Sequence, residues 1–275
     1  MPPTSSRAVG TVTRGTTNTN RLRRVDRWIA SLPALRRTGD PLVVDLGYGA
    51  SGVTAFELQH RLARVRPDVE VLGLEIDPGR VRTALAQLDA VRAGSTGFDP
   101  LARVDFRVGG FEVPLPDGRH AAVIRAFNVL RQYDESEVAA AWERMLGRLQ
   151  LGGALVEGTC DEIGRIASWV TLDATGPQTF SVSLRLRGLE TPSVVAERLP
   201  KALIHRNVPG ERVHVFLQDL DRLWRVHAPL GAYGPKQRWI AAAEGMREAG
   251  WPVVGGRARW RLGELTVAWD AVAPV

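Results

Sequence analysis

Three glycines and two acids in the first third of the chain carry the clearest chemical signal. The segment Val43-Val-Asp-Leu-Gly-Tyr-Gly-Ala-Ser-Gly52 sets Asp45 two residues before Gly47, with Gly49 and Gly52 after it, and Leu72-Gly-Leu-Glu-Ile-Asp77 follows. Glycines let a backbone turn sharply and approach a ligand closely, and the start of a helix beyond such a turn offers free N–H groups. That combination predicts a nucleotide-like ligand. Gly47, Gly49 and Gly52 also satisfy the dinucleotide spacing G-x-G-x-x-G, and Glu75, 23 residues past Gly52, stands close to where a ribose-binding acid belongs. Asp45 points elsewhere. A carboxylate at the strand end repels a pyrophosphate and suits a cationic ligand, such as one carrying an ammonium group and a sulfonium.

Further along, Arg125-Ala-Phe-Asn-Val-Leu-Arg-Gln-Tyr133 offers Asn128 to orient a ligand and Arg125 and Arg131 to hold a phosphate or carboxylate. A helix cap and surface arginines are the plainer alternative. The loop Arg198 to Gly210 gathers Lys201, His205, Arg206 and Asn207, which makes His205 the best general-base candidate, against an ordinary exposed histidine. None of the five histidines shows metal-ligand spacing, so no metal is expected, and the single cysteine, Cys160, excludes an intramolecular disulfide or a thiolate-rich zinc site.

The elements that must position these residues alternate. Leu42-Val43-Val44 reads as a buried strand, Ala55 to Val65 as a helix, and Val69 to Leu74 as a second strand, making one βαβ unit. A helix over Pro78 to Ala93, strands at Val104 to Val108 and Ala121 to Ile124, a helix capped by Asp134 or Ser136, and a strand at Ala154 to Glu157 continue the series. The economical fold is a doubly wound α/β sheet. Beyond it, Phe180, Val182, Leu184 and Leu186 alternate with polar residues, which predicts an antiparallel strand paired with Ile166 to Leu172. Helices over Val213 to Leu223 and Pro235 to Ala249 follow, and the apolar parity of Ala258 to Trp269 shifts at Gly263, as a bulge or tight turn would make it. Ahead of the sheet, Leu22, Val25, Ile29 and Leu32 mark an amphipathic helix after Asn20, its other surface carrying Arg21, Arg23, Arg24 and Arg27. Such a helix either docks on its own domain or lies on an anionic partner.

The pattern acid-x-Gly-x-Gly followed by an acidic end to the second strand resembles class I S-adenosylmethionine (SAM) dependent methyltransferases, over about residues 20–160 and more loosely at Met246 to Val254. The resemblance implies a mostly parallel, seven-stranded-type sheet with an antiparallel C-terminal portion and an inserted hairpin and helix segment. It implies SAM as cofactor, with Asp45, Gly47 and Gly49 around its methionine part, Tyr48 and Ser51 also binding the cofactor, Glu75 accepting from the ribose hydroxyls and Asp77 beside it. Gly110 and Phe111 fall where the adenine lies, with Glu112 as an acceptor for its amine. Residues 160–230 fall where the superfamily commonly builds its acceptor pocket, and Thr16 to Asn20 with Arg14 is a candidate lid. The third glycine of the usual pattern falls at Ser51, and no Asn/Asp-Pro-Pro-aromatic motif occupies 125–133. Leu151 to Cys160 resembles a segment of RNA cytosine-C5 methyltransferases and Arg66 to Glu75 one of tRNA guanine-N7 methyltransferases, but neither family's further catalytic motif accompanies it.

Of 275 residues, 36 are Lys or Arg and 30 Asp or Glu, a net charge of +6, and all but Lys201 and Lys236 of the basic residues are arginine. That skew suits an anionic partner or reflects codon bias. With 44% apolar residues and no membrane-length apolar run, a soluble, cytoplasmic chain is expected, with a flexible tail over 1–19 and a single domain over 20–275. The methyl acceptor on this reading is a polar or anionic small metabolite or RNA. A non-catalytic SAM-binding or regulatory protein and an NAD-dependent oxidoreductase are the alternatives.

Overall fold

The computed structural model describes residues 8–15 and 18–275. Two short helices, α1 (Arg23–Ile29) and α2 (Pro33–Arg36), precede the alternating part: β1 (Leu42–Leu46), α3 (Val53–Leu62), β2 (Glu70–Glu75), α4 (Pro78–Arg92), β3 (Val104–Val108), β4 (Ala121–Phe127), α5 (Val138–Leu146) and β5 (Leu149–Cys160). The hairpin β6 (Ile166–Asp173) and β7 (Gly176–Leu184) follows, then α6 (Lys201–Ile204), α7 (Arg212–Val226), α8 (Pro235–Glu248), β8 (Val253–Val254), α9 (Arg257–Trp260) and β9 (Glu264–Ala268).

All strands join one nine-stranded sheet in the order β3-β2-β1-β4-β5-β6-β7-β9-β8. The first five run parallel, and every pairing from β5 outward is antiparallel. The expected doubly wound sheet is therefore present, enlarged by the β6–β7 hairpin, which is built into the sheet between β5 and β9. Side-chain alternation sends Val43, Val71 and Val123 to one face, where they pack with Val25, Ile29, Leu58 and Leu88 of α1, α3 and α4. Val44, Leu72 and Ile124 go to the other, against Trp142, Phe216, Trp224 and Trp239 of α5, α7 and α8. Covering both faces is what parallel strands require, and β1 and β4 are buried along their whole length. No described helix is long and apolar enough to cross a membrane.

Several sequence expectations change in detail. Asn20 does not cap α1: it has a left-handed φ of 59°, and Leu22 stands at the N-cap with no side-chain bond. The stretch around Ala258 is helix α9 rather than strand, and Gly263, at φ 79°, turns the chain into β9. Asp134 does cap, in a reciprocal capping box with Glu137. Of the segment expected as a flexible tail over 1–19, residues 8–15 form an irregular strap across the C-terminal ends of the parallel strands. Residues 1–7, 16 and 17 lie outside the described residues, and so does the start of the lid expected over 16–20.

A cleft at the strand ends as candidate active site

Strand order reverses at β1, which has β2 on one side and β4 on the other, and the C-terminal ends of such strands leave a crevice for ligands. The glycine turn sits there. Gly47 and Gly49 hold φ values of 70° and 87°, a left-handed backbone that side chains oppose. A Cβ on Gly47 would lie 2.5 Å from Val129 Cγ2, so space as well as conformation demands glycine. The buried Glu75 carboxylate accepts from the Gly49 N–H at 3.0 Å and the Ile76 N–H at 3.0 Å, tying the end of β2 to the turn.

Asp45 is differently employed from the sequence expectation. Its register partner on β4 is Arg125, whose guanidinium forks onto it, Nε to Oδ1 at 3.0 Å and Nη2 to Oδ2 at 2.6 Å. The remaining arm of Arg125 meets Asp26 of α1, which Arg61 also holds at 2.5 Å, and Thr54 donates its hydroxyl to Asp45 at 2.9 Å. All three members of the Asp26–Arg125–Asp45 cluster are buried. Burial alone would lower the Arg125 pKa, but the facing Asp45 and Asp26 carboxylates outweigh it and hold the guanidinium charged. Arg125, expected to grip an acceptor, thus grips the protein's own acids. The carboxylate expected to attract a cationic ligand is already paired.

A cavity of about 510 Å³ opens beside this cluster, lined by Gly47, Tyr48, Gly49, Asn128, Arg131 and Arg198 among others, with Asp45 at its floor. Asn128 has φ 60°, a conformation asparagine tolerates, and its amide is spent locally. It accepts from the Cys160 N–H at 3.0 Å and donates toward Cys160 Sγ at 3.3 Å. Cys160 is buried, and burial pushes its thiol pKa up, away from the reactive thiolate.

A second, narrow space of about 20 Å³ lies between Glu75, Ile76, Gly110 and Phe111 on one side and the strap residues Val9 to Thr11 on the other. The strap is bonded to both walls. Phe111 N–H donates to the Val9 carbonyl at 2.9 Å, and Val9 N–H donates to Glu112 at 2.7 Å. Thr11 N–H reaches the Tyr133 hydroxyl at 2.6 Å, and Arg80 Nη2 reaches the Thr13 carbonyl at 2.7 Å. Glu112 therefore accepts from the strap, and Phe111 packs edge-on to Tyr133 with centroids 5.1 Å apart.

Three expected residues stand apart from both spaces. Ser51 bonds Gln87 at 3.2 Å, facing a separate depression toward Phe98. Asp77 caps α4, accepting from Gly79 and Arg80 N–H at 2.6 and 3.1 Å, bonds that lower its pKa. His205 is exposed at the end of α6. Sequence reasoning missed Asp26, Arg198, Gln132 and the strap at 9–13, none of which carries a local motif. Among the described residues, no three His, Cys, Asp or Glu side chains group as metal ligands.

No protein-family model matches the chain, and no curated protein matches it in sequence. Among solved structures it is similar to an O-methyltransferase from neocarzinostatin biosynthesis in complex with SAM, at 25% identity over 47% of this chain and 35% of that one, with a TM-score of 0.33. It is similar to magnesium protoporphyrin IX methyltransferase from Synechocystis PCC 6803 with bound S-adenosylhomocysteine (SAH), at 19% identity over 50% and 54%, TM-score 0.36. The CcbJ methyltransferase from Streptomyces caelestis is similar at 19% identity over 63% and 74%, TM-score 0.39. The matched part thus spans about a third of the neocarzinostatin enzyme's length.

Proposed function

We propose that the protein is a SAM-dependent methyltransferase that methylates a polar or anionic acceptor. The observation that carries this reading is the left-handed Gly47–Gly49 turn bonded to Glu75 at the point where the parallel strand order reverses. The methionine half of SAM fits against the bare backbone of that turn, in the cavity of about 510 Å³. Glu75 has the place and the burial to receive the ribose hydroxyls. The space beside Glu75, about 20 Å³, admits the nucleoside only when the strap at 9–13 moves aside.

The sulfonium of SAM, when bound, supplies an electrophilic methyl group. What the chain contributes is position and exclusion. The glycine turn and Glu75 fix one reactant, while Asn128, Arg131 and Gln132 border the space for the other, so orientation does most of the work. Asp45 is locked by Arg125, and the exposed His205 is not among the residues that line this space. The acceptor therefore arrives as a ready nucleophile or anion. The Asp26–Arg125–Asp45 cluster holds α1, β1 and β4 in the arrangement that opens the cleft.

Calorimetric titration of SAH and NAD into the wild-type chain and Glu75→Gln tests the reading. SAH should bind in preference to NAD, and the variant should bind it about tenfold or more weakly, as expected for losing hydrogen bonds to a charged group. Preference for NAD sinks the proposal in favour of a dehydrogenase. SAH binding with no methyl transfer to any acid, amine or hydroxyl acceptor would leave a non-catalytic binding protein.

A further inference from the structure

We propose that Arg131 and Arg198 form a subsite for a carboxylate or phosphate group on a small acceptor molecule. The word acceptor rests on the methyltransferase reading; the anion site itself does not.

Arg131 lies just beyond β4, and Arg198 just before α6, and the fold brings both to the wall of the main cavity. Each is held from behind by backbone. Arg131 Nη1 donates to the Glu197 carbonyl at 2.9 Å, and the Arg198 carbonyl accepts from the hydroxyls of Thr159 and Ser168, both at 2.5 Å. Two sheet hydroxyls thus fix the chain at 198.

No carboxylate within salt-bridge distance neutralises either guanidinium among the described residues, although the neighbourhood is rich in acids. Asp45 and Asp26 are committed to Arg125, Glu57 to Arg61 and Glu75 to the glycine turn, while the exposed Glu197, whose charge acts on Arg131, makes no ion pair with it. Arg198 Nε is buried with no hydrogen-bond partner, an arrangement that costs free energy in a finished site. Partial burial lowers the Arg131 pKa and the charge of Arg198 adds to it, against a smaller opposing pull from the Glu197 carboxylate, so the two guanidinium charges repel. Two crowded cations in a polar cavity are stabilised by an anion bound between them, and planar forks favour a carboxylate or phosphate.

The cavity's size and roof select a small molecule over RNA. Strap residues Thr13 and Arg14 border the opening, and about 510 Å³ is the size of an ordinary metabolite pocket. The arginines of the basic helix that suggested RNA are bonded to the protein itself, although Arg23 and Arg27 remain exposed. Arg23 donates to the Ile163 carbonyl at 3.0 Å, Arg24 to those of Gly164 and Leu262 at 3.1 Å each, and Arg27 pairs with Glu264 at 3.0 Å.

Calorimetric titration of inorganic phosphate, of acetate and of a short single-stranded RNA into the full chain, with and without saturating SAH, tests the subsite. Arg131→Gln, Arg198→Gln and the surface control Arg222→Gln are compared with wild type. At least one small anion should bind the wild type, and its affinity should fall about tenfold or more in the first two variants and stay unchanged in the control. The anion preferred, phosphate or acetate, names the acceptor's acidic group. Lysine substitutions at 131 and 198, which keep the charge, should recover part of the affinity even if a glutamine variant folds poorly. No anion binding, equal binding in all variants, or RNA binding that the two glutamine variants abolish overturns the proposal. Arginine-dependent anion binding without SAH binding leaves the subsite standing and removes the methyltransferase reading instead.

Discussion

A buried charge is tolerated only where its partner is close and its remaining bonds are satisfied, and the Asp26–Arg125–Asp45 cluster meets both conditions. Glu157 on β5 does not. It is fully buried with no ion-pair partner, and burial raises its pKa to about 8 against a smaller opposing effect of the nearby Trp142 indole. The sign follows from the direction. A carboxyl whose folded pKa lies above its ordinary 4.5 contributes stability that is complete below that value and is lost as pH rises through about 8. Glu157→Gln should therefore lose less stability than wild type as pH rises from 5 to 9. By pH 9 the variant should melt on the order of 5 °C or more above wild type. A thermal melt series from pH 5 to 9 checks this, and parallel curves for the two proteins would refute it. Little of this was legible in sequence. Asp45 stood out by its place before the glycines, but its partner Arg125 lies 80 residues on, and only the parallel register of β1 with β4 brings them together.

Among the elements, the strap has the largest leverage on ligand access, because its backbone fills the space beside Glu75 and Phe111. Gly10 sits so close that a Cβ there would meet the Tyr133 hydroxyl at 2.8 Å, with Ile76 and Phe111 at 3.6 Å. Bonds from Val9, Thr11 and Thr13 to three separate segments must be broken before a nucleoside can enter. That cost reduces the apparent affinity by the fraction of time the strap stays closed. A chain lacking residues 1–15 should bind SAH several-fold more tightly by calorimetry, and weaker binding would show that the strap instead supplies contacts to the ligand. The periodicity of buried strands and helices made β1 to β5 readable, because those elements follow local rules. The strap obeys no such rule: it is a short run of Val, Gly and Thr with no helix or strand of its own, whose partners are up to 122 positions away. The β6–β7 alternation was equally clear, yet where that hairpin enters the sheet depends on its β5 and β9 neighbours, which no local pattern encodes.

For the molecule as a whole, several arginines serve internal pairing. Arg24, Arg27, Arg61, Arg119 and Arg125 each bridge segments distant in sequence, where a planar fork outperforms a lysine ammonium. Arg24 ties α1 to the turn after β5 and to the approach to β9, so the helix ahead of the sheet and the last strand share one residue. The hairpin within 160–230 hydrogen-bonds on one edge to β5 and on the other to β9, and leaves no sheet edge along which the chain could divide. Residues 20–275 should therefore unfold as one unit, although a nucleotide-binding half and an inserted half would be natural fragments by length. Trp28 and Trp169 report on the α1 face, and Trp224 and Trp239 on the opposite face. Urea transitions followed by tryptophan fluorescence and by far-ultraviolet circular dichroism should coincide in a single step. Two separated transitions would mean that the hairpin and the helices after it form a domain of their own, and that the shared sheet contributes little to holding the halves together.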